Sequence, residues 1–302
     1  MNTQQRGETM KASVECMICS IKQVMKVSKL LGKTEEEVQA VVKKSLKMLS
    51  EVEFDVSNPY ISAKNWEIIT SSYELEDPYY DVKKLYNDLL LSVYDETVAL
   101  LDDSEDRFTS ALKMAVIGNL IDMGGRHSFT KDMVLEKIKG YNKIEFKIDN
   151  SAELKKQILN AKNVFYIGDN CGEVVLDKIF ITEIKRLNPD IEVTFGVRGG
   201  PILNDVTYED ALYVGIDKVA NIVSSGIKAP GTLLDISTEV FRDTFNNADV
   251  IIAKGQGNFE SLSDTYQDNL FLIFITKCDL VANTVGVDLL DIVVHQNHKA
   301  GY

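Results

Sequence analysis

The chain has 302 residues, of which 45% are hydrophobic and 26% charged, and this balance is typical of an ordinary folded protein. Its formal net charge of −13 disfavours nucleic acid and anionic membrane surfaces as partners, because both are negatively charged. A small anionic substrate is compatible with this charge, provided that cations or a metal ion make the binding cleft locally positive.

The sequence predicts a cytoplasmic protein. Its first residues lack the apolar stretch of a secretion signal, and no apolar run approaches the length of a membrane span. Cysteines are too few for a disulfide scaffold in a chain of this size. They are Cys16, Cys19, Cys171 and Cys278.

The first half of the chain, residues 1–150, is predicted to be mainly helical. Apolar residues recur at helical spacing over residues 14–31. Thr34 followed by Glu37 is a capping-box pattern that predicts the start of a second helix. A long helix is predicted over residues 80–101, and a short strand is predicted in the sequence KIEFKI just before the end of this half.

A nearly apolar helical segment over residues 111–121 contains a polar residue, Asn119, and is followed by Asp122. These two residues are three apart, so they share a helix face. Taken alone, the pattern favours a buried hydrogen-bonding pair or a helix cap over a site residue. His127 is interpreted as a loop residue rather than a ligand.

Cys16 and Cys19 form a single CxxC pair. The neighbouring sequence offers no second CxxC and no pair of histidines, so it cannot complete a four-ligand zinc site. A redox pair or a partial metal site stays open as an interpretation, but small buried cysteines are favoured.

The second half, residues 151–302, alternates strand patterns with helical segments. This alternation predicts a three-layer α/β/α sandwich with a mostly parallel, doubly wound sheet, preceded by the helical first half. The strand patterns are NVFYIG, IEVTFGV, VANIVSS, DVIIAK, LFLIFIT and DIVVHQ.

Polar residues follow several of these strands. In doubly wound sheets, ligands bind outside the carboxyl ends of the strands, so these positions are candidates for a site. Carboxylate and amide oxygens suit a hard divalent cation, and lysine and glycine-loop amides suit phosphate. The candidates are Asp169, Asn170, Glu173, Arg198, Asp205, Lys254 and Asn258.

Each candidate also has a structural interpretation. Asp169 with Asn170 is as typical of a helix cap as of a site, and for Asp205 alone an N-cap or first-turn position of the next helix is favoured. Lys254 directly after an apolar strand favours a functional role, because its ammonium must reach solvent or an anion. Arg198 stands at the end of the second strand, where a dinucleotide site would place an acidic residue. The arginine favours an anionic ligand over a dinucleotide or methyl-donor site, although NADP-type recognition stays open as an interpretation.

Six ordered motifs resemble the DUF89 family, also called the damage-control phosphatase or ARMT1-like family, and in particular its archaeal and bacterial branch with an N-terminal CxxC. The resemblance covers nearly the whole chain. The motifs are CMIC, DPYYDVKKLYN, GNLIDMG, IGDNCGEVVLDK, VRGGPILNDVT and AKGQGNFESL. One departure is Cys171, where the family usually has a small alanine.

The resemblance implies a phosphatase that acts on small phosphorylated metabolites and depends on a divalent metal ion, Mn²⁺, Mg²⁺, Co²⁺ or Ni²⁺. It implies metal ligands at Asp169, Asn170 and Asp205. Lys254 would contact the phosphate. The further substrate-binding residues that we expect are Asn119, Glu173, Arg198 and Asn258.

Two mechanisms and three classes of function stay open. Metal-activated water could attack phosphorus, or Asp169 could form an aspartyl-phosphate, although the Asp-x-Asp pattern of haloacid dehalogenases is absent. The alternatives to a phosphatase are an S-adenosylmethionine-dependent carboxyl methyltransferase and a non-catalytic metal- or metabolite-binding protein. The sequence is also compatible with a homo-oligomer.

Overall fold

A computed structural model describes residues 10–120 and 130–298. Asp122 and His127 lie outside the described residues. Within them the chain forms thirteen α-helices and seven strands. The helices are α1 (Val14–Leu30), α2 (Glu35–Ser50), α3 (Asn58–Tyr73), α4 (Tyr80–Leu91), α5 (Tyr94–Asp102), α6 (Arg107–Leu120), α7 (Lys131–Lys139), α8 (Ser151–Asn160), α9 (Glu173–Leu187), α10 (Tyr208–Tyr213), α11 (Glu239–Asn247), α12 (Gln256–Leu262) and α13 (Asp279–Val285). The strands are β1 (Ile148–Asp149), β2 (Asn163–Ile167), β3 (Glu192–Val197), β4 (Asn221–Ser224), β5 (Val250–Lys254), β6 (Leu270–Ile275) and β7 (Ile292–Gln296).

The strands form one sheet in the order β1-β7-β6-β5-β2-β3-β4. All neighbours are parallel except β6 and β7, which are antiparallel. The prediction of a mostly parallel α/β sheet is therefore confirmed, and the six strand patterns of the second half correspond to β2–β7. Every residue of β5 and β6 is buried, as expected for strands that helices cover on both faces.

The carboxyl ends of the central strands are level with one another. Ile167 near the end of β2 pairs with Gly196 of β3 on one side and with Ala253 of β5 on the other. The chain reverses its winding direction at β2, because β3 and β5 lie on opposite sides of it. This is the switch point at which doubly wound sheets bind ligands.

Two predicted elements differ from the observed ones. The helix predicted over residues 80–101 is two helices, α4 and α5, separated at Ser92 and Val93. Val93 is completely buried, so the break places an apolar side chain of the turn in the core. The strand predicted in KIEFKI is shorter than expected, because only Ile148 of that sequence belongs to β1.

The hydrophobic core is continuous between the two halves of the sequence. Its largest cluster joins buried residues of α4–α7 with residues of α8, α9 and one face of the sheet. The domain boundary near residue 150 stays a prediction.

The capping box of α2 is observed as predicted, with Glu37 N donating to Thr34 Oγ1 and Thr34 N donating to Glu37 Oε2. None of the described helices combines the length and apolar character that a membrane span requires.

Candidate active site

The turn after β2 is tied to the loop that follows β3. Val206 N donates to Asp169 O at 2.8 Å, and Asn170 forms an isolated antiparallel bridge with Asp205. Cys171 N donates to Asn204 O at 2.8 Å, and the Cys171 side chain is completely buried. These contacts bring together the three residues that were predicted to hold a metal ion.

Two asparagine amides bridge the carboxylates of Asp169 and Glu173. Asn119 Nδ2 donates to Asp169 Oδ2 at 3.0 Å and to Glu173 Oε2 at 2.9 Å. Asn170 Nδ2 donates to the same two oxygens at 2.6 and 3.2 Å. Asn119, predicted from the sequence as a contributor to the site, therefore lies directly beside Asp169. Its Oδ1 atom is buried and has no hydrogen-bond partner among the described residues.

Two glycines make room for this cluster. A Cβ atom on Gly255, whose φ is +85°, would lie 2.1 Å from Asp169 Oδ2. A Cβ atom on Gly118 would lie 2.7 Å from the Glu173 Cα atom, so this glycine lets α6 approach α9. The glycines of the AKGQGN and GN motifs thus position the neighbouring carboxylates and Asn119.

Arg198 connects the loop after β3 with α12. Its Nε donates to Asp205 Oδ2 at 2.7 Å, and Nη1 donates to Asn258 Oδ1 at 3.2 Å. Nη2 lies 3.8 Å from Asp169 Oδ1 and has no hydrogen-bond partner in the described part of the chain. Arg198 is only 2% exposed, so its charge acts directly on the two aspartates rather than on solvent.

Lys254 is 1% exposed and binds carboxylates behind the cluster. Its Nζ donates to Glu173 Oε1 at 2.6 Å, to Asp177 Oδ1 at 2.7 Å and to Ala115 O at 3.2 Å. A lysine ammonium has three hydrogens, and these bonds engage all of them. The phosphate contact that was expected of Lys254 stays a prediction.

Asp177 belongs to the cluster, although the sequence did not single it out. It lies on α9 four residues after Glu173, so both carboxylates share one helix face. Tyr166 Oη also donates to Asp177 Oδ1, at 2.6 Å. The signal that could have identified Asp177 is its place on the apolar, buried face of α9, where an acidic residue needs a charged partner.

Burial raises the pKa values of three aspartates in the cluster. The pKa of Asp169 rises to about 7, because its burial and the charges of Asp205 and Glu173 disfavour the ionised form. Burial raises the pKa of Asp177 to about 6, although Lys254 opposes the rise. The pKa of Asp205 is also raised by burial, against the opposing charge of Arg198.

The buried charges do not balance. Among the residues that the structure describes, the cluster contains four buried carboxylates, Asp169, Glu173, Asp177 and Asp205, and two buried cations, Arg198 and Lys254. When all of these groups are ionised, two negative charges remain uncompensated. A buried charge without a partner is costly, so the cluster favours either protons or an additional cation.

A cavity of about 690 Å³ adjoins the cluster, and Asn119 and Asn170 form part of its lining. Lys277, which follows β6, also lines it. Its charge opposes the rise in the pKa values of Asp169 and Asp205. Lys277 was not among the site residues predicted from the sequence. It could have been found by the same rule as the others, because it directly follows the Thr276 that ends the buried run of β6.

Among the described residues, no three His, Cys, Asp or Glu side chains are arranged so that they could hold a metal ion. The CxxC pair is divided between two environments. Cys16 is buried, and the Cys19 side chain is exposed and lines the cavity. The interpretation as a pair of small buried cysteines therefore applies to Cys16 and not to Cys19.

Comparisons with known proteins agree on one family. The family model described as damage-control phosphatase ARMT1-like domain matches residues 12–293. An uncharacterised protein of Methanocaldococcus jannaschii is 33% identical to the chain over 298 residues, which cover 95% of this chain and 96% of the relative. The damage-control phosphatase PH1575 of Pyrococcus horikoshii is 31% identical over 281 residues, covering 92% and 95% respectively.

A damage-control phosphatase of Archaeoglobus fulgidus is 30% identical over 287 residues, covering 94% of this chain and 98% of the relative. The crystal structure of a DUF89 family protein from Pyrococcus horikoshii matches the fold with a TM-score of 0.89 and 29% identity. That match covers 95% of this chain and 99% of the crystallised one. The chain therefore belongs to the damage-control phosphatase ARMT1-like family, DUF89, as its six motifs predicted.

Proposed function

We propose that the chain is a divalent-metal-dependent phosphatase that hydrolyses phosphate monoesters of small metabolites. Two of its relatives carry the name damage-control phosphatase. The observation that supports metal dependence is the charge imbalance at the carboxyl edge, where, over residues 10–120 and 130–298, four buried carboxylates face two buried cations. One divalent cation would compensate the two remaining negative charges.

The donor set fits such a cation. Asp169, Asn170 and Asp205 offer carboxylate and amide oxygens, which Mg²⁺ and Mn²⁺ prefer, and Co²⁺ and Ni²⁺ also accept them. Asn170 directs its amide nitrogen at Asp169 and Glu173, and a half-turn of that amide would present its oxygen instead. The buried Asn119 Oδ1, which has no donor partner among the described residues, is a further oxygen at this position.

A bound divalent cation supplies a Lewis acid for the phosphoryl oxygens and lowers the pKa of a bound water. The residues of the chain divide the remaining tasks. Arg198 and Lys254 hold Asp205 and Glu173 in fixed positions. Lys277 is an exposed cation on the cavity, and it donates to the phosphate that is transferred. Attack by water is favoured over an aspartyl-phosphate, because the Asp-x-Asp pattern is absent.

The test is a panel of phosphate monoesters crossed with Mn²⁺, Mg²⁺, Co²⁺ and Ni²⁺, assayed with the wild type, Asp169→Ala and Asp205→Ala. We expect metal-stimulated hydrolysis by the wild type. Each substitution removes an oxygen ligand and should lower kcat/KM on the order of 10³-fold or more. Calorimetric titration should show weaker metal binding by both variants.

The matched control is Asp243→Ala, which removes an exposed carboxylate of α11 and should leave hydrolysis unchanged. Circular dichroism checks that each variant is folded. Full metal-stimulated hydrolysis by Asp169→Ala would contradict the assignment of Asp169. Absence of hydrolysis across the whole panel, with folded wild-type protein, would contradict the proposed function.

A further inference from the structure

One wall of the active-site cavity is formed by α1. Its lining residues include Cys19, Lys22, Gln23 and Lys26. Cys19, Lys22 and Lys26 are spaced three and four residues apart, so they occupy one face of the helix, and Gln23 lies beside them. Both lysine side chains are exposed to solvent, and both lie on the wall of the cavity.

Lys22 and Lys26 have a different helical neighbour from several other exposed lysines of the chain. Some of those lysines pair with a carboxylate one turn away, as Lys84 does with Asp88 and Lys156 with Glu153. Lys22 instead has Lys26 one turn away. Over residues 10–120 and 130–298, neither of these two lysines forms an ion pair with an acidic side chain. Like charges at this spacing repel each other, and an anion between them would reverse that repulsion.

No carboxylate in the described part of the chain pairs with Lys22 or Lys26, although the sequence has 46 acidic and 33 basic residues. Such a surplus makes carboxylates available over most of the surface. Lys22 and Lys26 line the cavity and form no ion pair with a described carboxylate, so they are placed to bind an anion from solution. The transferred phosphate alone does not account for these two lysines, because Lys277 already supplies an exposed cation on the same cavity.

The cavity is large enough for more than a phosphate group. Its volume of about 690 Å³ lies within the range of about 300–1,000 Å³ typical of pockets for small molecules. Asn119 and Asn170 line the end beside the carboxylates, and apolar side chains such as Leu203 and Leu290 line other parts. The lining thus contains a reactive end, an apolar part and a cationic wall on α1.

We propose that the substrate carries a second anionic group, a carboxylate or a second phosphate, and that Lys22 and Lys26 bind it. The inference rests on the proposed phosphatase function and names the substrate class of that same site. Lys22 and Lys26 are specificity residues in this assignment. They bind the part of the substrate that does not react. Their charge therefore selects phosphate esters that carry a second anionic group over esters that carry only the one phosphate.

The test uses three probes with one hexose skeleton: glucose 6-phosphate, 6-phosphogluconate and glucose 1,6-bisphosphate. The second probe adds a carboxylate and the third adds a phosphate, so the two sources of the anionic group are separated. At low ionic strength we expect the wild type to prefer 6-phosphogluconate, glucose 1,6-bisphosphate or both over glucose 6-phosphate. The double variant Lys22→Gln/Lys26→Gln should lower that preference, as a ratio of kcat/KM values, about fivefold to tenfold.

The control variant is Lys29→Gln, which removes an exposed lysine of the same helix that does not line the cavity. It should leave the ratio unchanged, and Lys22→Arg/Lys26→Arg should retain it. Added salt should weaken the preference of the wild type, because screening acts on exposed charges. Equal kcat/KM ratios in the wild type and the double glutamine variant would overturn the inference.

Failure of this inference is distinguishable from failure of the proposed function. Hydrolysis of all three probes without a charge preference overturns the second-anion site and leaves the phosphatase assignment standing. If no probe is hydrolysed, the same probes are titrated by calorimetry without turnover. Tighter binding of a probe with a second anionic group to the wild type than to the double variant then supports the site. Equal binding to the two proteins overturns it.

Discussion

The cations at the carboxyl edge of the sheet fall into a buried group and an exposed group. Lys254 and Arg198 are 1% and 2% exposed, and each is bound to carboxylates of the cluster. Lys22, Lys26 and Lys277 are exposed, and they line the cavity. The first group fixes the acidic residues in place, and the second group is available to an anionic substrate.

The difference in burial decides what each cation can do. If Lys254 moved to bind a phosphate, it would leave the carboxylates of Glu173 and Asp177 buried without their cation. Removing one partner from a buried ion pair typically costs about 3–5 kcal/mol. An exposed lysine such as Lys277 has no such cost, because water solvates it until the substrate arrives. We therefore expect the two groups to respond differently to the same substitution.

The largest effect is expected from Lys254→Met, which preserves much of the side-chain volume and removes the charge. The carboxylates of Glu173 and Asp177 would then lose their shared cation inside the core. We expect the free energy of unfolding to fall by about 3–5 kcal/mol, measured by urea denaturation of metal-free protein at pH 7.

Lys43→Met is the matched control, since Lys43 is an exposed residue of α2. Its effect should stay within about 0.5 kcal/mol. The triple variant Lys254→Met/Glu173→Gln/Asp177→Asn should recover part of the lost stability, because it removes the unpaired charges as well. A Lys254→Met variant as stable as the control would show that the buried group does not hold the carboxylates.

Lys277→Gln is expected to have the next largest effect, and the effect should be on catalysis. The substitution removes the exposed cation whose charge acts on Asp169 and Asp205. We expect kcat/KM for a phosphate monoester to fall about 10- to 100-fold, with little change in stability, because the side chain is exposed. Steady-state kinetics and urea denaturation measure the two quantities.

Lys277→Arg keeps the charge and should retain most of the activity. Lys43→Gln, which is remote from the cavity lining, should change neither quantity. If Lys277→Gln lost stability rather than activity, Lys277 would belong with the buried group, and the distinction between the two groups would fail.

The fold could be predicted from the sequence because its strands have local signatures. β5 and β6 are buried at every residue, and their sequences are short continuous apolar runs apart from Lys254 at the end of β5. The break between α4 and α5 was missed, because Ser92 and Val93 interrupt the helix without a proline or a glycine. Their conformation depends on burial of Val93 in the core, which the local pattern does not express.

The close approach of the central candidate residues was also predictable, since parallel strands end at one edge of the sheet. Asp169 and Asp205 were selected in this way, and the bridge between Asn170 and Asp205 brings them together. The partners of Lys254 were not predictable, because Glu173 and Asp177 are 81 and 77 residues away in the chain. Their pairing depends on how α9 packs against β5, and no local pattern contains that information.

The α1 wall was missed for the same physical reason. Lys22 and Lys26 precede Asp169 by more than 140 residues, and their local sequence is typical of a solvated helix face. Only the packing of α1 near the carboxyl edge makes them cavity residues. A small anionic substrate requires a locally positive site in an acidic chain, and the exposed group supplies that charge.

The smallest effect is expected from Asp169→Asn in metal-free protein, and it depends on pH. Folding raises the pKa of Asp169 from 3.8 to about 7, so the folded state retains a proton that the unfolded state releases. The stabilising contribution of the protonated group is therefore full below pH 4 and is lost as the pH rises through about 7. Asparagine does not titrate, so the variant should lack this loss.

We expect the two proteins to be similarly stable near pH 4, and the variant to gain about 1–2 kcal/mol on the wild type by pH 8. The gain is smaller than the full pKa shift implies, because Asp205 and Glu173 share the uncompensated charge. Urea denaturation with a chelator present measures it. Added Mn²⁺ should then stabilise the wild type at pH 8 more than the variant, since a cation that binds only the folded state shifts the equilibrium towards it. If the free energy of unfolding changed with pH in the same way for both proteins, the carboxylate cluster would need no additional cation. Lys254 and Arg198 would then suffice to compensate its charge.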